Sequence, residues 1–376
     1  MPRLVGLDVL RFAAVTLVLG RHMSPPPGTW PSGWQAILVT WQRGGWVGVD
    51  LFFVLSGFLV SGLLFKEYKS RGRLSIVRFY VRRGWKIYPP FYVLITVTVF
   101  LRLYFVRQVA GHSLLSELLF VQSYVPGLWN HTWSLAVEEH FYLLLPIVLL
   151  LVLRFNRGSP TPLKPVLTIA AFLAVIALLL RLLYSYYQPS YSHFTHAFPS
   201  HLRLDSLFFG VAISYAYHFH TSRFVLSLTP WRRWLIVGGP LLISPAFVFE
   251  LESTPFIYTA GFTLFYVGSG MLLVGVLLSE LPRNRLLVVL ATLGAYSYSI
   301  YLWHMPVNTW GVRLAERVYG RSLGFLVEVL VYVIGSFVVG VIAAKIIEVP
   351  TLRLRDRWFP SRADEPIVVL RESTSR

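Results

Sequence analysis

The sequence predicts an all-α polytopic membrane protein with about ten transmembrane helices and both termini cytoplasmic. Three observations carry this. Of 376 residues, 55% are hydrophobic and only 14% charged, where about 25% charged is usual in a soluble domain. Apolar runs near 20 residues recur, the length that crosses about 30 Å of hydrocarbon. Lysine and arginine are divided unequally between alternate loops. The mean hydropathy of +0.61 argues against a disordered chain. The absence of cysteine excludes a disulfide scaffold, thiolate metal sites and a cysteine nucleophile. The net charge of +17 raises nucleic acid as a partner. Basic loops on the cytoplasmic face account for it without one, so no nucleic acid is expected.

The first run, 4–22, contains Asp8 and Arg11, and no small-x-small site follows it. It therefore reads as a membrane helix and not a cleaved signal. The second is 46–65. The third, 87–106, is expected to begin at Tyr88-Pro89-Pro90, because proline is tolerated at a helix start. A short apolar stretch at 114–125 reads as interfacial or re-entrant. The remaining runs are 133–153, 165–187, 204–220, 234–249, 256–278, 286–305 and 322–347. With the N-terminus inside, 23 of the 34 Lys and Arg fall in inner segments and 6 in outer ones; this sets the orientation. Residues 1–352 form one membrane-embedded unit, and 353–376 a short polar cytoplasmic tail.

Charges inside a bilayer are costly, so each is a functional candidate. Arg11 and His22 lie eleven residues apart on the first helix. That is three turns with about 20° of offset, so they share a face about 16 Å apart along the axis. Such a pair suits the two ends of one long ligand. The plainer reading pairs Arg11 with Asp8 and leaves His22 a satisfied interfacial histidine. Asp50, Glu138, Glu139, Arg203, Asp205 and His304 fall at outward ends of their runs. Together they suggest a polar outer pocket for acid–base chemistry with His22 as base. Adjacent carboxylates on a helix point about 100° apart, so at most one of Glu138 and Glu139 faces that pocket.

On the inner side, RGRLSIVRFYVRRGWKIYPP carries Arg82, Arg83 and Lys86 among further basic residues. It reads either as an anchor on anionic membrane lipid or as a phosphate site, since guanidinium groups grip phosphate bidentately. His193, His196 and His201 invite a metal reading, but they sit in an outer loop without helical spacing, and no metal is expected. Gly57 and Gly62 read as close helix packing, because no GK[ST] follows them. On these residues alone an enzyme, a proton-coupled carrier of a small or anionic solute and a non-catalytic scaffold all remain open. The absence of an inverted repeat weighs against the carrier.

The segments GLDVLRFAAVTLVLGRH, GVDLFFVLSGFLVSG, FYVRRGWKIYPPFY, WSLAVEEHFYLLLP, RLDSLFFG, GAYSYSIYLWHMP and IIEVP stand in this order. In that order the chain resembles the acyltransferase 3 family of bacterial inner-membrane O-acyltransferases over about residues 4–352. The resemblance implies transfer of an acyl group, usually acetyl, from cytoplasmic acyl-CoA to a hydroxyl of a carbohydrate or other acceptor. It implies location in the cytoplasmic membrane, His22 as catalytic histidine and Arg11 as its partner. Arg82 and Arg83 match the family's basic motif, and Glu138 or Glu139 its acidic residue. Lys86 stands where a third arginine is common, and EVP replaces the usual E-R-P, which leaves the role of Glu348 open. No fused SGNH-type domain is expected.

On that footing acyl-CoA would dock its nucleotide on Arg82, Arg83 and Lys86 and thread its arm past Arg11 to His22. Glu138 or Asp50 would orient His22. Trp133, Ser134, Arg203 and Asp205 would contact substrate, with Trp133, Ser134 or a backbone N–H as the oxyanion donor. Direct transfer and an acyl-enzyme both stay open.

Overall fold

The computed structural model describes residues 5–28, 32–282 and 284–360. Arg3, Arg283 and the tail beyond 360, counted above with the inner segments, lie outside them. Among the described residues there are helices and turns and no strand, as expected where hydrocarbon leaves backbone groups no partner except one another.

Helix α1 (Val5–Arg21) is followed by α2 (Ser32–Gly44), an amphipathic helix absent from the sequence reading, and α3 (Gly48–Arg71). Gly72 ends α3 at φ 67°, with its N–H on the Tyr68 carbonyl at 2.8 Å; this left-handed cap favours glycine. Then come α4 (Ile76–Phe105), the short α5 (Gly111–Leu118), α6 (Trp133–Phe155), α7 (Pro165–Tyr187) and α8 (Leu204–Phe219). Next are α9 (Thr221–Leu228), α10 (Arg232–Ile243), α11 (Pro245–Val248), α12 (Phe262–Leu277), α13 (Arg285–Ala295) and α14 (Ser297–Pro306). The last are α15 (Val312–Tyr319), α16 (Phe325–Ala343) and α17 (Val349–Trp358).

Each of the ten predicted runs is occupied by helix. Six segments are long and apolar enough to cross a membrane: 33–71, 76–105, 130–155, 165–187, 257–277 and 325–358. A seventh results if the pair bent by 67° at Tyr296, α13 with the helix from Ser297 to Tyr319, counts as one span. Two expectations are corrected. The third run was to begin at Tyr88-Pro89-Pro90, but α4 starts at Ile76 and carries both prolines in its interior. Their missing N–H groups free the carbonyls of residues 85 and 86. Packing against neighbouring helices compensates this in a membrane bundle; Tyr298 donates to the adjacent Ile87 carbonyl at 2.8 Å. The run at 286–305 was to be continuous, and it is broken at Tyr296.

Small residues let helices approach where no hydrophobic force pulls them together. Helix α3 packs most extensively on α8. A Cβ on Gly57 would lie 1.9 Å from the Leu207 carbonyl, and one on Gly210 would lie 2.3 Å from that of Val54. The packing reading of Gly57 therefore holds. Helix α13 lies on α1 in the same way, with Gly294 against the Asp8 backbone. The main core of Phe91, Phe141, Phe208, Tyr215 and Tyr332 is buried among α4, α6, α8 and α16. Helix α7 turns Phe172, Val175, Leu179 and Leu183 outward, as a lipid-facing helix does.

Candidate active site

Arg11 and His22 open into two different cavities. The first, called inner after the side the sequence predicts for its basic residues, has a volume of about 440 Å³ and is lined by Arg11, Arg78, Arg82, Arg83, Lys86 and Arg355, with Glu67 and Glu138 among them. Apolar Leu59, Val60, Leu63 and Leu64 of α3 form one wall. The second, called outer on the same expectation, has a volume of about 500 Å³ and is lined by His22, Arg21, Arg43, Trp46, Asn130, Trp133, His193, Arg203, Glu250 and Glu252. Val49 and Tyr301 line both cavities.

The shared wall is tied together. The Tyr301 hydroxyl donates to the His131 carbonyl at 2.7 Å and lies 2.6 Å from Ser134 Oγ. With the phenolic proton spent on that carbonyl, Ser134 is the donor to Tyr301. Trp133 and Ser134, neighbours at the start of α6, face opposite ways: Trp133 lines the outer cavity and Ser134 the inner.

His22 stands at the end of α1. Asn308 holds its carbonyl at 2.7 Å, and Tyr332 holds that of Leu19 at 3.0 Å. The ring beside it is His304, with centroids 5.1 Å apart, and His131 lies beyond at 4.8 Å from His304. Arg11 is paired with Asp8 at 2.5 Å and remains part of the inner cavity lining. The Asp8 pair of the plainer reading is present, and it leaves Arg11 at the cavity wall.

The carboxylates are arranged differently from the expected outer cluster. Glu138 accepts from Ser56 at 2.6 Å and from Tyr142 at 3.1 Å and opens into the inner cavity. It lies five residues into α6, about 7.5 Å beyond Trp133, which carries it past the shared wall. Glu139 turns to Tyr88 of α4, so Glu138 is the one that faces a cavity. Asp50 is held by buried Arg203 at 2.7 Å, and Asp205 by buried Arg181 at 2.9 Å. Arg203, its guanidinium 3.8 Å over the Phe262 ring, is the member of this group that reaches the outer cavity. The expected orientation of His22 by Glu138 or Asp50 is thus not what the side chains form.

The basic residues divide by depth. Arg82 bonds Asp356 of α17 at 3.1 Å and the Phe359 carbonyl, while Arg78 meets the Pro360 carbonyl. Arg83 lies over the Tyr142 ring at 5.2 Å. Glu348 accepts from Ser299 at 2.7 Å. On the outer rim, Arg21 and His193 both reach Glu252, and Arg43 reaches Glu250 at 3.9 Å. The His193 hydrogen bond, with Arg21 beside it, pulls the Glu252 carboxyl down to about 2. Trp133 stacks on Phe198, with centroids 4.4 Å apart and planes at 10°. His196 bonds the Gln188 carbonyl at 3.0 Å, and His201 lies 3.1 Å from the Tyr124 hydroxyl. Among the described residues no group of three His, Asp or Glu stands where it could hold a metal ion.

Sequence reasoning missed His131, Tyr301 and Arg355. Tyr301 had a signal, one helical turn before His304. His131 lies in a loop without period, and Arg355 lies in what reads as tail.

The family described as an acyltransferase domain matches residues 4–345. The chain belongs to that acyltransferase family. It is 26% identical over 370 residues to the peptidoglycan O-acetyltransferase OatA of Listeria monocytogenes, a match covering 92% of this chain and 55% of that protein. It is also 26% identical over 363 residues to the O-acetyltransferase OatA of Staphylococcus aureus, covering 88% and 55%. The chain thus spans about half the length of these curated relatives. No solved structure matches it.

Proposed function

We propose that this multi-pass protein is a membrane O-acyltransferase that carries an acyl group, acetyl by preference, from acyl-CoA to a hydroxyl of a carbohydrate. The observation that carries the reading is the pair of cavities meeting at Val49 and Tyr301, with Arg11 on one side and His22 on the other. In this reading the bundle crosses the cytoplasmic membrane about ten times with both termini inside. The basic cavity is then the cytoplasmic one.

The inner cavity suits a donor with phosphate at one end and an uncharged arm. Arg78, Arg82 and Arg355 gather at one end of the lining and supply fork donors for phosphate. The apolar α3 wall beyond them suits the pantetheine arm. Arg11, Arg83, Lys86 and Glu138 would flank the arm as it rises to the neck, where the thioester meets Tyr301 and Ser134. The outer cavity suits a sugar, with the Trp133–Phe198 stack as a platform and Arg21, Arg43, Glu250 and Glu252 as polar rim.

In the reaction His22 takes the proton of the acceptor hydroxyl as its oxygen attacks the thioester carbonyl. The C–O bond forms, the C–S bond breaks, and the thiolate leaves with that proton. The transient oxyanion takes its donor from Trp133, from a backbone N–H at the neck, or from Ser134 once that hydroxyl releases Tyr301. The relatives are named for O-acetylation, and the alternative of a carrier finds no support among them.

The test uses inside-out vesicles supplied with labelled acetyl-CoA on the outside. Label on lumenal glycan with matching release of free CoA is expected. Label uptake without CoA release would indicate a carrier and end the proposal.

A further inference from the structure

His304 and His131 each present an interior lone pair that nothing in the bundle uses. His304 Nδ1 lies 2.5 Å from the Tyr301 carbonyl. A carbonyl only accepts, so Nδ1 carries the proton and the lone pair of the neutral ring is on Nε2. His131 Nε2 lies 3.2 Å from the Leu302 carbonyl. Its proton is therefore on Nε2 and its lone pair on Nδ1. Both rings are buried, at 0% and 1% exposure, and both of these nitrogens lack a hydrogen-bond partner. The His304 ring neighbours both His131 and His22, and of the three His22 is the one that lines either of the two cavities. Tyr301 fixes the set: its carbonyl orients His304, and its hydroxyl holds the His131 carbonyl.

We infer that His304 is the positioning residue of the base: the two rings, with centroids 5.1 Å apart, are not hydrogen-bonded in this structure, and in the acceptor-bound state the free Nε2 of His304 takes the N–H of His22 and leaves the other His22 nitrogen to the acceptor hydroxyl. The inference rests on the reading of His22 as base. During transfer no proton passes to His304. The hydroxyl proton goes to the cavity-facing nitrogen of His22 and from there to the departing thiolate, while the His22–His304 hydrogen bond keeps one tautomer throughout. This is the part a buried carboxylate plays in a Ser-His-Asp triad. A neutral ring fits here because a carboxylate at this depth would require a charge partner to offset its desolvation. The carboxylates expected to do this work, Glu138 and Asp50, are engaged elsewhere. His131 packs edge-on to His304, with planes at 75°, and limits its rotation.

Two measurements test this. In intact protein labelled with ¹⁵N-histidine in nanodiscs, the His304 signals, assigned by their loss in His304→Gln, are expected to show Nδ1 protonated and Nε2 unprotonated. Protonation at Nε2 would overturn the inference whether or not any variant folds. In the vesicle assay, His304→Gln keeps an acceptor oxygen at the ε position and is expected to retain most transfer. His304→Phe keeps the ring volume without the acceptor and is expected to lose about 10–100-fold in kcat, as outer partners of reactive histidines do, with acetyl-CoA affinity unchanged. Equal loss in both variants would reduce His304 to packing and overturn the inference. If His22→Ala transferred at full rate, the choice of base would fail, while the tautomer measurement would still report on His304 by itself.

Discussion

The hydroxyls of Tyr301 and Ser134 lie 2.6 Å apart, and Tyr301 is also a wall common to both cavities. This hydrogen bond thus sits on the residue shared by a basic inner chamber and a histidine-bearing outer one.

Filling that place separates binding from transfer. Val49→Trp is expected to leave acetyl-CoA binding intact and reduce acetyl transfer by about a hundredfold, since small misplacements of reacting groups cost that much. Calorimetric CoA binding beside the vesicle assay measures both quantities. Joint loss of binding would place the donor elsewhere.

Removing the base is expected to act on rate alone. His22→Ala should lose about 10²–10⁴ in transfer, the usual worth of a general base, with the thermal midpoint in detergent close to wild type. Transfer at the wild-type rate would rule His22 out.

The basic residues should separate from the catalytic ones. Arg82→Ala and Arg355→Ala are each expected to weaken acetyl-CoA binding about tenfold to a hundredfold, as charged hydrogen bonds to phosphate are worth about 1.5–3 kcal/mol. The maximal rate at saturating donor should hold. Unchanged affinity in both would reduce the cluster to a lipid anchor.

The outer rim carries a pH dependence. The Glu252 carboxyl, drawn down to about 2 from the ordinary 4.5 by its bond to His193 and by Arg21, is more acidic folded than unfolded. Its stabilising contribution is complete above about pH 4.5 and is lost as pH falls toward 2. Glu252→Gln should flatten the thermal midpoint across that window, read by melting at stepped pH. A variant with the wild-type slope would show that the rim pair carries none of it.

The α3–α8 contact tolerates no side chain. Gly57→Val is expected to destabilise the protein by about 1–3 kcal/mol or more, because a Cβ would lie 1.9 Å from the Leu207 carbonyl. Detergent melting and yield of monodisperse protein report it.

Helical arithmetic made α1 legible. Eleven residues are three turns, which put Arg11 and His22 at opposite ends of one helix face in the sequence reading; in the structure α1 ends at Arg21, and the two residues line different cavities. The 100° between neighbours also foretold that Glu138 and Glu139 would part. Depth was not legible. Sequence put Glu138 with His22 because α6 starts at the outer side, but where the neck crosses α6 depends on how α3 and α14 pack against it. Pairing was equally hidden: Asp50 has Arg203 for a partner 153 residues away, and no local pattern announces that. The prolines of α4 misled because a helix start and a compensated interior look alike in one dimension. Arg355 escaped notice because a polar end reads as solvent-facing until α17 is seen lying on α4.

A wall shared by two polar chambers has an electrical consequence. Where water fills both cavities, the voltage of an energised cell falls mainly across the wall they share at Val49 and Tyr301 instead of the full bilayer. A proton or thiolate moving there would feel a share of the roughly 2.3 kcal/mol per 100 mV, so the turnover of this protein should respond to membrane polarisation.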